Sequence, residues 1–467
     1  MKKKKILFLG DDFRLNSGIG TMSKSIITGT VDRYDWVQIG GAMNHPEAGK
    51  QLDLSQAVAD DTGVLDASVK IYPVSGYGTP DLIRHILATE EIDAILHFTD
   101  PRFWGWLYQM EHEIRQHIPI MYYNIWDDLP YPHWNENAYE SCDLLMAISK
   151  QTYNINKHVC QRKPRLDGVD LTYVPHGIDE NVFFPIVNDA KYEAFKKTAT
   201  SGKDYDFIAL LNSRNIRRKS ISDLIVGFKA MCDKLTPEES SKCALLLHTD
   251  PVDENGTDLP AVVAALCPEY DVIFSAEKLP NIAMNYLYNM ADVVCNPSSA
   301  EGFGLSHMEA IMSGTPTIAS VLGGLQDQMG FRNNRGEYIT IDDFTVDTPS
   351  NSTGKISEDH GSWTYPLWPQ INLQGSPPTP YIYDSRVSID QITSGLMYWH
   401  NMPKSNRSDH GAIGRDWAIE NGFNAKGMTD TMSKSIDTCI STFKPRQRYT
   451  LIDASIKKQQ YPSGALV

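Results

Sequence analysis

Cysteine is scarce in this chain and shows no pairing pattern. The 467 residues include seven cysteines, an odd number, and none of them belongs to a Cys-x-x-Cys motif. Neither a disulfide framework nor a structural zinc site is therefore indicated. We expect a reducing compartment, the cytoplasm, as the location of this protein.

An excess of positive charge and a long apolar run are also missing. The chain carries 43 Lys and Arg residues against 58 Asp and Glu residues, so its formal net charge is -15. This balance argues against a surface that wraps nucleic acid through bulk charge. It does not exclude a local basic groove. The first apolar run, residues 6–9, is too short for a signal peptide core or a membrane span, and we expect neither.

The chain does contain a regular alternation of short apolar runs and amphipathic segments of helical length. Such runs predict buried parallel strands, and the alternation predicts βαβ units. The predicted strands are residues 6–9, 92–97, 118–123, 144–148 and 171–174, followed by 207–211, 244–248, 272–274, 293–295 and 317–320. The predicted fold class is α/β, with two Rossmann-like doubly wound domains that face a cleft.

A stretch with proline and glycine, residues 174–185, separates the two series of strands and is suited to a connector. We predict an N-terminal domain over residues 1–180 and a C-terminal domain over 181–440, with the connector as a hinge for domain closure. Residues 332–386 are rich in Pro, Gly, Ser, Asn and Asp and contain aromatic islands, which predicts an ordered insertion. We expect the final segment, 441–467, to pack back on the first domain.

The most informative segment is residues 296–310, NPSSAEGFGLSHMEA, which follows a predicted strand and opens a helix. Seven residues separate its two carboxylates, Glu301 and Glu309, across a glycine-rich turn. Free N–H groups near Leu305 and Ser306 would form an anion site at the helix start. A phosphate there would lie beside a carboxylate that accepts hydrogen bonds from ribose hydroxyls. Ser306 and Glu309 also fit a capping box, so a structural role stays open.

This segment resembles the Glu-x7-Glu motif of the retaining nucleotide-sugar glycosyltransferases of family 4, which have the GT-B fold. Three further segments agree with that family in order and spacing. Residues 212–219 resemble its Arg and Lys pair, residues 174–179 its interdomain turn, and residues 10–20 its glycine-rich loop after the first strand. The resemblance covers most of residues 1–330, and the predicted insertion has no counterpart in the family pattern.

The resemblance implies transfer of a sugar from a nucleoside-diphosphate sugar to an acceptor hydroxyl with retention of configuration. It assigns the acceptor side to the N-terminal domain and the nucleotide sugar to the C-terminal domain. Arg214 and Lys219 would supply fixed cations, which stabilise the negative charge that builds on a departing diphosphate. The competing interpretation is that residues 214–219 are a basic turn exposed to solvent. The predicted catalytic residues are Arg214, Lys219 and Glu301, and the predicted donor-binding residues are Gly18, Gly20, Gly304, Leu305, Ser306 and Glu309.

The acceptor side has a weaker pattern. Residues 96–101 resemble a segment in which many family members carry a histidine that reaches the transferred sugar, but the corresponding residue here is Thr99. His97 and Asp100 are possible substitutes for that histidine, and Asp127 follows the next predicted strand. These four residues are our candidates for the acceptor or sugar side.

Neither a metal ion nor a redox cofactor is expected. Transferases of the unrelated GT-A fold bind a divalent ion through Asp-x-Asp at the carboxyl end of a strand, whereas the Asp-x-Asp triplet here, residues 204–206, precedes a predicted strand. The basic pair would neutralise the diphosphate instead. The loop after the first strand lacks the full Gly-x-Gly-x-x-Gly spacing, which disfavours a nicotinamide cofactor.

Three other functions stay open. A phage-type glycosyltransferase for hydroxymethylpyrimidine bases in DNA would need a basic groove, formed by Arg162, Lys163 and Arg165 or by residues 2–5. An epimerase with the GT-B fold shares the paired glutamates, and a non-catalytic protein could bind the nucleotide sugar. The acceptor, which could be a small molecule, a glycan, a protein or a DNA base, and the oligomeric state are not determined by the sequence.

Overall fold

The structure, a computed structural model, describes residues 2–42, 46–160, 170–377 and 379–446. It contains two large sheets, each covered by helices, and the chain crosses from the first to the second after residue 173. We call residues 2–173 together with 425–446 the N-lobe, and residues 190–420 the C-lobe.

The N-lobe sheet has the strand order β3-β4-β2-β1-β5-β6-β7-β8, and every neighbouring pair is parallel except β3 with β4. Its strands are β1 (Lys4–Asp11), β2 (Tyr34–Gly41), β3 (Leu52–Asp53), β4 (Val69–Pro73), β5 (Ala94–Phe98), β6 (Ile120–Asn124), β7 (Leu144–Ala147) and β8 (Asp170–Tyr173). Its helices before the crossing are α1 (Gly18–Gly29), α2 (Ser55–Thr62), α3 (Pro80–Thr89), α4 (Gly105–Gln109), α5 (Glu111–Ile114), α6 (Glu136–Glu140) and α7 (Lys150–Cys160).

The C-lobe sheet is parallel throughout and has the order β11-β10-β9-β12-β13-β14. Its strands are β9 (Phe207–Asn212), β10 (Cys243–His248), β11 (Asp271–Ser275), β12 (Val293–Asn296), β13 (Thr317–Ser320) and β14 (Thr364–Leu367), and a separate antiparallel hairpin consists of β15 (Gln370–Ser376) and β16 (Thr379–Arg386). The helices are α8 (Ala190–Ala199), α9 (Ile221–Cys232), α10 (Pro237–Ser240), α11 (Leu259–Leu266), α12 (Asn281–Met290), α13 (Leu305–Met312), α14 (Ile389–His400) and α15 (Lys404–Glu420), and α16 (Ala425–Thr442) follows in the N-lobe.

The apolar runs form strands because both faces of each sheet are buried. In β1, Ile6 and Phe8 belong to the hydrophobic core on one face of the sheet, and Leu7 and Leu9 belong to the core on the other. Alternate side chains of a strand point to opposite faces, so a strand with helices on both sides needs a continuous apolar run.

Six strands were not predicted from apolar runs, namely β2, β3, β4 and β14 in the two large sheets and β15 and β16 in the hairpin. In β2 the run is interrupted by Asp35 and Gln38, although the Gln38 amide is buried and donates to the Asp11 carbonyl oxygen at 2.8 Å. In β4 Lys70 interrupts the run, and β14 contains Pro366. Proline is tolerated in β14 because this is an edge strand. Since β14 lies within residues 332–386, part of the predicted insertion belongs to the C-lobe sheet itself.

The chain returns to the N-lobe after α15. On α16, Asp437 accepts a hydrogen bond from the Tyr34 hydroxyl at 2.7 Å, and Asp430 pairs with Arg33 at 2.8 Å. Beyond the helix, the Arg446 N–H donates to the Arg115 carbonyl oxygen at 2.9 Å. Of the segment predicted to pack back on the first domain, residues 447–467 lie outside the described residues.

The two crossings between the lobes run side by side. The Ile178 N–H donates to the Phe423 carbonyl oxygen at 2.9 Å, and the Ala425 N–H donates to the Ile178 carbonyl oxygen at 3.0 Å. A Cβ atom at Gly177 would come within 2.3 Å of the Asn424 carbonyl oxygen, so this close approach requires glycine. The connection between the lobes is therefore a hydrogen-bonded pair of segments.

All seven cysteines are free thiols with buried side chains. Across the described ranges, we find no helix that has both the length and the apolar character needed to cross a membrane.

Candidate functional site

The residues that follow β6 and β7 in the N-lobe meet the residues that follow β12 and β13 in the C-lobe, and the cleft between the lobes lies there. Opposing residues touch directly: the Lys150 N–H donates to the Asp327 carboxylate at 2.8 Å, and the Gln326 amide donates to the Gln151 side-chain oxygen at 2.8 Å. A Cβ atom at Gly18 would lie 3.5 Å from Leu305 Cδ1. Strand ends of parallel sheets are the usual location of ligand sites in this class of fold.

Glu301 lies in the loop after β12 and is held by two cations. Its carboxylate pairs with the Lys219 ammonium group and, at 3.1 Å, with Arg218 Nη1, which also donates to the Ala300 carbonyl oxygen. The Glu301 side chain is only 12% exposed. Burial raises the pKa of Glu301, but Lys219 and Arg218 outweigh burial and lower this pKa to about 2. Glu301 is thus a carboxylate at all ordinary pH values, in a cluster whose formal charge is positive.

The structure does not bring the predicted pair Arg214 and Lys219 to one point. Lys219 is buried against Glu301, whereas Arg214 is exposed and its Nε donates to the Asp253 carboxylate at 2.8 Å. Arg218 instead occupies the position beside Glu301. The sequence places Arg217, Arg218 and Lys219 in one basic turn, and only the fold distinguishes the arginine that faces the carboxylate.

Glu309 lies in the second turn of α13 and is linked to β9 through a chain of hydrogen bonds. The Tyr288 hydroxyl donates to the Glu309 carboxylate at 2.5 Å, and the Asn212 amide donates to the Tyr288 oxygen at 2.7 Å. Burial raises the pKa of Glu309. Tyr288 and Asn212 were not predicted, because α12 and the end of β9 come together with α13 only in the fold.

The start of α13 differs from the capping box considered above. Gly304, at a φ of 90°, is the N-cap residue, and no side chain caps the helix. Ser306 is therefore inside the first turn, where its N–H and that of Leu305 have no partner within the helix. A Cβ atom at Gly304 would lie 2.5 Å from Leu325 Cδ2, so both φ and space favour glycine.

The glycine-rich loop after β1 packs close to this helix start. Ser17 caps α1 by accepting a hydrogen bond from the Gly20 N–H at 3.0 Å, and a Cβ atom at Gly20 would meet the Leu15 carbonyl oxygen at 2.4 Å. Gly18 contacts Leu305 across the cleft, as described above. Asp11, which was not predicted, ends β1 at the same loop, and burial raises its pKa to about 6.

Of the four acceptor-side candidates, three have local structural partners. The His97 side chain is fully buried, its Nδ1 lies 2.6 Å from the Tyr108 hydroxyl, and burial lowers its pKa to about 3, so His97 is a neutral core residue. Thr99 is buried, and its carbonyl oxygen accepts a hydrogen bond from a tyrosine hydroxyl at 3.1 Å. Asp100 caps a short turn and pairs with Arg102.

Asp127, the fourth candidate, does lie in the cleft. Its Cβ atom is 3.6 Å from the Cβ position of Gly323, and the N–H of the next residue, Gly324, donates to the Glu301 carbonyl oxygen at 3.1 Å. Burial raises the pKa of Asp127 to about 6, against the opposing effect of Arg218. The fold therefore places Asp127 beside the cluster of Glu301 and the two cations.

The Asp-x-Asp triplet and the N-terminal lysines, which were considered for metal or DNA binding, have other surroundings. The Asp-x-Asp triplet, residues 204–206, precedes β9 at the opposite end of the strand from the cleft, and no group of three His, Cys, Asp or Glu side chains in the described ranges is arranged to hold a metal ion. Lys2, Lys4 and Lys5 pair with carboxylates of Glu91, Asp93 and Glu90. Arg162, Lys163 and Arg165 lie outside the described residues.

Comparison with known proteins agrees with the resemblance noted in the sequence. Residues 270–336, which include both glutamates of the motif and the start of α13, match the family described as "Glycosyl transferases group 1". A mannosylfructose-phosphate synthase from Agrobacterium fabrum is 29% identical over 197 residues, 40% of this chain and 39% of that protein. A D-inositol 3-phosphate glycosyltransferase from Kribbella flavida is 28% identical over 206 residues, 43% of this chain and 46% of that protein. The chain thus matches less than half the length of these curated relatives.

Solved structures are similar over nearly the whole chain. Alr3699/HepE of Anabaena, in complex with UDP and glucose, has a TM-score of 0.64 at 13% identity and covers 93% of this chain and 100% of its own. The sucrose-phosphate synthase of Thermosynechococcus elongatus has a TM-score of 0.63 at 16% identity and covers 94% of this chain and 100% of its own. These comparisons confirm the predicted GT-B fold and the resemblance to family 4 glycosyltransferases.

Proposed function

We propose that this chain transfers a sugar from a nucleoside-diphosphate sugar to an acceptor hydroxyl, with retention of configuration and without a metal ion. The observation that carries the proposal is the cluster of Glu301, Lys219 and Arg218 beside the start of α13. Glu301 belongs to the segment that matches the glycosyltransferase family, and Lys219 and Arg218 contact it from outside that segment.

Each group in the cluster has a role that follows from its charge and position. Two cations against one carboxylate leave a positive charge, which would stabilise the diphosphate as it departs. The free N–H groups at the start of α13 would bind phosphate oxygens. Glu301 would bind hydroxyls of the donor sugar, and Glu309, oriented by Tyr288, would bind the ribose.

Among the cations, Arg214 keeps its predicted role as a diphosphate ligand in this proposal. The Arg214 side chain is 61% exposed, whereas the side chain of its partner Asp253 is 10% exposed. Because the guanidinium group is open to solvent, the ion pair contributes little stability, and a bound diphosphate could draw Arg214 away from Asp253.

Retention and independence from metal are parts of the same proposal. As the family resemblance implies, the reaction takes place on one face of the sugar, and the departing phosphate accepts the acceptor's proton, so no covalent nucleophile is required. Lys219 and Arg218 would neutralise the diphosphate in place of a divalent ion.

We also propose a reducing location, the cytoplasm, because all seven cysteines are buried free thiols.

The first experiment measures nucleoside diphosphate release from a panel of UDP-, GDP- and ADP-sugars, with EDTA present and with and without simple acceptors. We expect release from one donor, unchanged when Mg²⁺ replaces EDTA. Magnetic resonance of the product should show the anomeric configuration of the donor. Isomerised donor would indicate an epimerase, and nucleotide binding without turnover under any condition would indicate a non-catalytic binding protein.

A further inference from the structure

The segment between β13 and α14 forms a bridge from the C-lobe to the N-lobe. We call residues 345–377 and 379–386 the bridging segment. In its hairpin, the Tyr383 N–H donates to the Leu129 carbonyl oxygen at 2.7 Å, and the ring centroids of Tyr381 and Trp134 are 4.6 Å apart. At its beginning, the Thr345 carbonyl oxygen accepts a hydrogen bond from Asn154 at 3.3 Å. Both ends of the segment are thus anchored on the N-lobe.

Between these anchors the bridging segment lines one side of a partly open cavity of about 180 Å³. Asp127 and Asp128 form its N-lobe wall, and Ser299 and Leu322 belong to its C-lobe wall. Lys355 and Tyr383 are among the residues that the bridging segment contributes. Pockets for drug-sized ligands measure roughly 300–1,000 Å³, so this cavity suits a smaller molecule, of about one sugar ring.

The cavity lies next to the proposed reaction centre. Ser299 and Ala300 line it and immediately precede Glu301 in the chain. The backbone at Gly323 separates Asp127 from Glu301, and Arg218 holds the Ala300 carbonyl oxygen as well as the Glu301 carboxylate. A molecule in the cavity would therefore lie beside a donor sugar held by Glu301.

Ten of the seventeen residues that line the cavity carry a hydroxyl or carboxyl group, and apolar side chains such as Leu129, Leu322 and Ile371 complete the wall. The charged groups of the lining are three carboxyl groups and one ammonium group. The carboxyl groups belong to Asp127, Asp128 and Asp347, and the ammonium group belongs to Lys355.

The Gln151 amide and the Trp126 indole donate to the backbone carbonyl oxygens of Asp127 and Asp128. Within the described residues no side chain donates a hydrogen bond to either carboxyl group, so both carboxyl groups are available to a ligand. Burial and then the neighbouring Asp127 raise the pKa of Asp128 well above its ordinary range. A pair of neighbouring carboxyl groups can accept hydrogen bonds from the hydroxyls of a ligand.

We propose that this cavity is the acceptor site and that it selects a small, hydroxyl-rich acceptor without negative charge, such as a free sugar or cyclitol. The inference rests on the proposed glycosyl transfer and adds the class of acceptor. A phosphorylated acceptor would bring its negative charge against the carboxyl groups, and a like charge at short range opposes binding.

The test compares matched acceptors with the donor identified in the release experiment. A free hexose and its 6-phosphate form one pair, and a free cyclitol and its monophosphate form another. We expect the neutral member of at least one pair to have the higher kcat/KM. Preference for the phosphorylated members, or activity with protein or DNA acceptors alone, would overturn the proposed acceptor class while leaving glycosyl transfer intact. Absence of both donor turnover and nucleotide binding would contradict the proposed function itself.

Variants of the lining residues test whether this cavity binds the acceptor. Asp128→Asn should raise the acceptor KM by about tenfold to a hundredfold, the effect of one hydrogen bond to a charged or acidic group, and should change the donor KM less. Asp390→Asn, an exposed carboxylate at the start of α14, is the matched control and should change neither.

A second variant guards against loss of folding. Asp347 is exposed in the bridging segment, so Asp347→Lys should fold, and it should shift the kcat/KM ratio toward the phosphorylated acceptor by about fivefold or more, because one charge near the site is reversed. In the hairpin, Tyr381→Ala should raise the acceptor KM more than Leu373→Ala, whose side chain is 66% exposed. An unchanged ratio in Asp347→Lys, or equal effects of the two hairpin variants, would count against this site.

Discussion

At Glu301 one carboxylate faces two cations, and this imbalance defines the candidate site at the residue scale. Lys219 is buried, and burial lowers its pKa, while Glu301 opposes that effect. A buried lysine with a carboxylate on one side still has hydrogen-bond donors for a second anion on the other. The arrangement is therefore suited to a substrate that carries the missing negative charge, such as a diphosphate.

Removal of the buried cation is the first prediction at this scale. Lys219→Ala should lower kcat for donor turnover by about a hundredfold to a thousandfold, because one fixed donor to the developing charge is lost. The measurement is steady-state nucleoside diphosphate release. Arg217→Ala, an exposed arginine in the same turn, is the control and should retain activity. Full activity in Lys219→Ala would refute its assigned role.

The two other arginines can be ranked in the same assay. Arg218 contacts Glu301 in the structure, whereas Arg214 contacts Asp253. If donor binding recruits Arg214, both Arg214→Ala and Arg218→Ala should lower kcat by at least about tenfold, since each would supply a charged hydrogen bond in the transition state. Wild-type activity in Arg214→Ala would show that Arg218 has replaced it.

Glu301 also predicts a dependence of stability on pH. Its folded-state pKa, about 2 against an ordinary value of 4.5, corresponds to about 3 kcal/mol of stability. Because the folded pKa is the lower one, this contribution is complete above pH 4.5 or so and is lost as the pH falls toward 2. In urea unfolding, the stability difference between wild type and Glu301→Gln should be largest near pH 7 and much smaller near pH 3. A difference that does not change with pH would contradict the ion pairs.

At the scale of the element, α13 begins without a capping side chain. Its N-cap is Gly304 in the left-handed region, and the N–H groups of the next residues have no partner within the helix. A side-chain cap would occupy the N–H groups that a phosphate needs. The absence of a cap at this helix start is thus consistent with anion binding.

Gly304→Ala tests this helix start. A Cβ atom here would be strained by φ and would also meet the buried Leu325, so we expect a loss of stability of about 1–3 kcal/mol and a higher donor KM. Gly336→Ala is the control, because Gly336 has a similar φ of 77° but no atom within 4 Å of its Cβ position. Chemical denaturation and donor KM values measure both effects. Equal effects in the two variants would mean that the contact with Leu325 is unimportant.

At the scale of the whole molecule, the two lobes are in contact on both sides of the cleft. Asp327 of the C-lobe accepts hydrogen bonds from the Lys150 N–H at 2.8 Å and from the Tyr173 hydroxyl at 3.0 Å. The bridging segment adds further contacts with Leu129 and Trp134. Closed lobes would exclude water from an activated donor, which protects it from hydrolysis.

Asp327→Ala should favour an open arrangement. The variant leaves the Lys150 N–H and the Tyr173 hydroxyl without their acceptor, and each unsatisfied buried group costs about 1–3 kcal/mol in the closed form. We expect a larger radius of gyration by small-angle scattering, reduced again by the donor nucleotide, and a raised donor KM. The exposed residue Asp416 provides the control Asp416→Ala. Identical scattering for wild type and Asp327→Ala, with and without nucleotide, would argue against closure.

Segment by segment, the sequence alone determined the α/β alternation and the position of the glutamate motif. The runs at β1, β6 and β9 are apolar because both faces of these strands are buried, and that requirement is visible in any short window of sequence. The glycine-rich turn between Glu301 and Glu309 is likewise local, since the strand, loop and helix are consecutive.

Only the tertiary structure decided which side chains meet. Arg218 and not Arg214 faces Glu301, His97 is in the core, and Tyr288 orients Glu309. The tertiary structure also showed that β14 belongs to the C-lobe sheet and that the bridging segment contacts the N-lobe. The physical reason is that burial and backbone geometry leave a periodic local pattern, whereas a contact between residues far apart in the chain depends on how all the intervening elements pack.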